Sequence, residues 1–108
     1  MAPRLWGNAV TEDYVPSEIS DRQFFQELAI MGLISKEEAL GAVMTGTLPT
    51  QFLSFISALP EADQFDAKMQ LCGATTFNRG NKFVSVFGAI QGMTGADLDE
   101  LWKRASKL

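Results

Sequence analysis

Apolar positions along this chain recur mostly at intervals of three and four, the spacing that gives a helix one buried stripe. Phe24, Leu28 and Met31 form one such seam, widened by Phe25 and Ile30, in a helix that Gly32 ends. Ala39, Leu40, Val43 and Met44 form the inner surface expected of a second helix, closed by Gly46. Phe52, Leu53, Phe55, Ile56 and Leu59 mark a third, opened near Pro49 and stopped by Pro60. The longest predicted helix starts at Pro60 and stops at Gly80. Its apolar residues fall on two nearly opposite stripes, Ala62-Phe65-Met69-Cys72-Thr76 and Ala67-Leu71-Ala74, at about 100° per residue. Such a helix is expected to be a central beam packed on both sides. Gly73 within it is expected to mark a close backbone crossing. Phe83, Val84, Val86, Phe87 and Ile90 give a fifth helix, ended by Gly92, and Leu98, Leu101, Trp102, Ala105 and Leu108 a sixth.

The polar positions punctuate this pattern. Ser20 with Gln23, Ser35 with Glu38, and Thr94 with Asp97 each have the spacing of a capping box. Ile19 and Phe24, and Met93 and Leu98, have the spacing of a hydrophobic staple. The first and last helix pairs share a plan of apolar helix, glycine, Ser or Thr cap, acidic helix, which makes a weak pseudo-repeat. The expected fold is all-α: a compact bundle of about six short helices with no sheet, spanning residues 18–108. Residues 1–17 lack a sustained period and carry Pro3, Gly7, Asn8 and Pro16, so they are expected to form an extended arm. The arm also holds Trp6, Val10, Tyr14 and Val15, too apolar a set for a plain solvated tail. It either lies across its own domain, docks on a partner through those four residues, or frays.

Composition removes whole classes of chemistry. The chain has 108 residues, a net charge of −4, one cysteine and no histidine. The acidic balance disfavours nonspecific binding to nucleic acid. The Ser35 corner offers Lys36, Glu37 and Glu38 where a DNA-reading helix would need Arg, Asn or Gln, so no nucleic-acid partner is expected. Cys72 is expected to be a small buried hydrophobe. The candidate acid–base carboxylates, Glu61, Asp63, Asp66, Asp97, Asp99 and Glu100, sit in predicted first turns, where the helix dipole accounts for them. No metal-ligand spacing, phosphate-cradling glycine loop or nucleophile with a base is present, so no catalytic residue, cofactor, metal or small-molecule substrate is expected. No apolar run reaches membrane-spanning length, and no membrane partner is expected.

Several runs carry a likeness to known sequences. They are Ile19 through Ala29, Gly32 through Leu40, Gly46-Thr47-Leu48-Pro49, Gly73 through Arg79, and the ending Gly92-Met93-Thr94 through Leu101-Trp102. In order, they resemble small all-helical proteins that tailed bacteriophages and prophages encode among their virion genes, often near tail components. The resemblance covers about residues 17–108 and leaves the arm before Pro16 outside it. It implies a non-enzymatic structural or accessory virion protein, tail or tail-fibre associated, made in the host cytoplasm and held by other virion proteins in multiple symmetric copies. The alternative is a cytosolic assembly chaperone or regulatory module that is absent from the mature particle.

Overall fold

In the computed structural model, residues 14–108 are described. The order of elements is β1 (Glu18–Ser20), α1 (Asp21–Ile30), α2 (Lys36–Thr45), α3 (Thr50–Ala58), α4 (Glu61–Gly73), β2 (Thr76–Asn78), α5 (Lys82–Ile90) and α6 (Gly95–Ala105). The six helices form a compact bundle, and the all-α class expected from the periodicity is correct.

All three capping boxes form. Ser20, Ser35 and Thr94 each accept from the backbone N–H three residues on, while Gln23, Glu38 and Asp97 reach back to the cap N–H. Glu38 does more than its own box requires. Its second carboxylate oxygen accepts from Thr50 N at 3.2 Å, so one side chain serves the starts of both α2 and α3. Pro49, the cap residue of α3, supplies no side-chain bond of its own. The two helix–glycine–helix joints are built alike. Gly32 and Gly92 take φ of 80° and 81°, Gly32 N donates to Ala29 O, and Gly92 N donates to Ala89 O. The pseudo-repeat therefore extends to backbone geometry at the joints.

Three expectations give way. The long helix stops at Gly73, and Thr76–Asn78 leaves it as an extended strand pairing antiparallel with β1, Phe77 opposite Ile19. A small two-stranded sheet thus stands where none was expected. The β-branched pair Thr75-Thr76 suits the strand, and burial of Phe77 with Ile19 decides in its favour. The ladder is extended by Arg79 N donating to Ser17 O at 2.8 Å, and Arg79 Nε then pairs with Asp99 of α6 at 2.8 Å.

The second correction concerns α4, which is not a central beam. Only Ala67 and Leu71 are buried; Phe65 is 74% exposed, Met69 58%, and Cys72 is also exposed. Nothing lies within 4 Å of a Cβ built on Gly73, so no backbone crosses there. The centre is α1, which touches α2, α6 and both strands. Its Phe24 and Phe25 anchor an aromatic core with Phe52, Phe77 and Trp102. Phe52 in turn stacks on Phe87 of α5, with ring centroids 4.0 Å apart and planes 10° from parallel. A buried carboxylate joins this core: Glu27, 3% exposed, accepts from Arg104 Nε at 2.9 Å, clamping α1 to α6.

Third, α2 buries only Ala42. The surface expected to face inward is mostly outside: Leu40 is 57% exposed and Met44 74%, while Val43 lies at the border of exposure.

Candidate docking groove

Some of the apolar residues that the core leaves uncovered lie together. Between α1 and α2 runs a groove of about 510 Å³. Arg22, Gln26, Ala29 and Ile30 line it from α1; Lys36, Ala39, Leu40 and Val43 line it from α2. Each set is one stripe of its helix, spaced three and four apart or adjacent. The tight joint from Met31 to Ser35, fixed by the left-handed Gly32 and by Leu33 N donating to Leu28 O, sets the two helices into a V. The small side chains of Ala29 and Ala39 leave the space between them open. At the other corner, the tighter fit has Leu98 of α6 within 3.3 Å of where a Gly88 Cβ would stand, and α6 buries Leu98, Leu101, Trp102 and Ala105. The two corners share a joint and differ in what fills them.

The groove carries charge at its two ends and none of it acidic. Arg22 stands at the start of α1 and Lys36 at the start of α2, on opposite sides of the joint. Arg22 donates to Gln26 Oε1 at 2.6 Å and to the main-chain oxygen of Leu108 at 3.0 Å. No ion pair among the described residues holds Lys36. Glu38 points its carboxylate at backbone N–H groups of Ser35 and Thr50, and these bonds lower its pKa from the ordinary carboxylate value.

A second uncovered stripe lies on α4, where Phe65 and Met69 share the exposed side with Cys72. Among the described residues no group of three or more histidines, cysteines or carboxylates is placed to hold a metal ion. Among the same residues no single helix is long and apolar enough to cross a membrane.

No protein-family model, curated protein or solved structure matches this chain.

Of the four residues expected to meet a partner, Trp6 and Val10 lie outside the described residues. Tyr14 is 65% exposed, and Val15 packs, partly buried, against the domain's own core. The structure does not bring Tyr14 or Val15 into the groove. The groove itself was missed from sequence because its residues have the same helical spacing as a core face. One signal could have found it: α2 offers apolar residues on too many sides for a ten-residue helix at the edge of a small bundle.

Proposed function

We infer that this protein is a non-enzymatic structural or accessory component of a tailed-bacteriophage virion, associated with the tail or its fibres, and acting through protein–protein contacts. The observation that carries this reading is that two helix faces leave large apolar side chains uncovered: Ile30, Leu40, Val43 and Met44 around α2, and Phe65 and Met69 on α4. A small domain leaves contiguous apolar surface in water at a solubility cost, and such surface is the common mark of a contact site. The resemblance of residues 17–108 to small virion-region proteins supplies the setting. Many symmetric copies would turn modest individual contacts into firm attachment.

The test is mass spectrometry of particles purified from the phage or induced prophage that encodes the chain. The expected outcome is the protein at a fixed ratio to tail components, with particles assembled on Leu40→Glu or Phe65→Ser chains depleted of it. Absence from finished particles, with the protein required for their formation, would instead identify an assembly chaperone and overturn the structural reading.

A further inference from the structure

The groove between α1 and α2 has an occupant of definite chemistry written in the same chain. We propose that it receives the amino-terminal arm of a second copy of this protein, residues 6–13, joining copies head to tail. The inference rests on the reading that uncovered apolar faces here are contact surfaces.

Three observations converge on this occupant. The first is charge. The groove lining contains Arg22 and Lys36 and no carboxylate, on a protein whose net charge is −4. The arm carries Glu12 and Asp13 side by side, one residue (Thr11) beyond the apolar Ala9 and Val10. Opposite charges at the rim of an apolar trough favour a segment that carries acidic groups beside apolar ones.

The second is length. From Arg22 to Ile30 the α1 wall rises about 12 Å, at about 1.5 Å per residue. An extended chain covers that distance in about four residues, the separation of Trp6 from Val10. With Glu12 and Asp13 near Arg22, Val10 enters beside Val43 and Trp6 reaches the end formed by Ile30 and Lys36. Trp6 then serves as the anchor in the groove, as buried tryptophans do at contact sites.

The third is where the described chain stops. Tyr14 is exposed, and none of residues 14–20 lines the groove. The root of the arm and the groove are separate surfaces of one molecule, the condition for a heterologous contact between copies.

The full chain and two variants, Trp6→Ala and Leu40→Glu, test this by sedimentation across about two decades of concentration. Leu40 is exposed, so its replacement leaves the helical circular dichroism and the unfolding midpoint unchanged, and that is checked first. Wild type is expected to associate with rising concentration, and each variant alone to do so at least about tenfold more weakly. Trp6→Ala keeps an intact groove and Leu40→Glu keeps an intact arm. An equimolar mixture of the two is therefore expected to regain one junction and stop at the heterodimer. A wild type that stays monomeric throughout, with the arm folded back on its own groove or free, overturns the proposal. So does association that both variants retain, or a mixture that fails to restore the dimer. Failure here leaves particle incorporation untouched, because another virion protein can still occupy the groove; absence from particles despite head-to-tail association would remove the virion reading alone.

Discussion

Gly73 and Gly88 look alike in the sequence, each a glycine among apolar helical residues, and they stand in opposite surroundings. A Cβ at position 73 would meet nothing within 4 Å, whereas at position 88 it would come within 3.0 to 3.3 Å of three atoms of Leu98, itself buried between α5 and α6. Glycine costs a helix up to about 1 kcal/mol relative to alanine, less at a terminal residue such as Gly73. Gly73→Ala is therefore expected to raise stability by roughly 0.5 kcal/mol. Gly88→Ala makes the same intrinsic gain and must displace Leu98, an overpacking cost of about 1–3 kcal/mol, so it is expected to lose on balance. Urea unfolding of the two variants beside wild type reads both signs. A destabilising Gly73→Ala would restore the close crossing that the sequence pattern implied. Nothing in the residue spacing separates these glycines, because the neighbour that matters at Gly88 is Leu98, ten positions away and on another helix.

At the scale of the element, helix starts were the most legible feature of the chain. A capping box is a contract between residues three apart, so Ser20, Ser35 and Thr94 could be placed on helix ends without knowing the fold. The second bond of Glu38, to Thr50 N, could not, since it depends on where α3 begins in space relative to α2. These caps give the protein an acid-sensitive edge. Backbone hydrogen bonds lower the pKa of Glu38, from Ser35 and Thr50, and of Asp97, from Thr94. A carboxyl group whose folded pKa lies below its unfolded value stabilises the fold fully above the unfolded pKa and loses that contribution as pH falls through the folded one. Stability is thus expected to decline from about pH 4–5 downward, where ordinary carboxyl groups begin to protonate. The paired variant Glu38→Gln, Asp97→Asn keeps acceptors at both caps and removes their titration. Its stability against pH is expected to be flatter below about pH 5 than that of wild type; parallel curves would show that these caps do not set the acid limb. Helix ends were harder. Gly46 caps α2 in the left-handed conformation, as its position after Met44 and Thr45 implies, but the helical period runs past Gly73 because Thr76 falls four residues after Cys72, on the stripe of Phe65 and Met69.

On the scale of the whole molecule, the question is which apolar residues the single core can hold. Phe77 is buried in the aromatic cluster within 4.8 Å of Phe24, ring centre to ring centre, while Phe65, equally apolar, projects into solvent. Phe77→Ala is expected to cost about 3–5 kcal/mol and to lower the unfolding midpoint of the entire domain, because the ring joins β2 to α1. Phe65→Ala is expected to change stability by no more than about 0.5 kcal/mol. Thermal or urea unfolding of the pair decides whether α4 presents its Phe65 stripe outward; similar losses in both variants would return α4 to the interior. The exposed stripe and the α1–α2 groove are then the apolar surface that this core leaves uncovered.

Sequence by itself determined the helical class, the three helix starts boxed by Ser20, Ser35 and Thr94, and the likeness of the two glycine joints, because each rests on contacts three or four residues apart. Only the tertiary structure decided that α1 and not α4 is the centre, that residues 76–78 pair with 18–20, and that the α1–α2 corner stays open. The physical reason is that a helical stripe states only that a side chain avoids water. Whether its cover comes from the same chain or from another molecule depends on how much core six short helices can share.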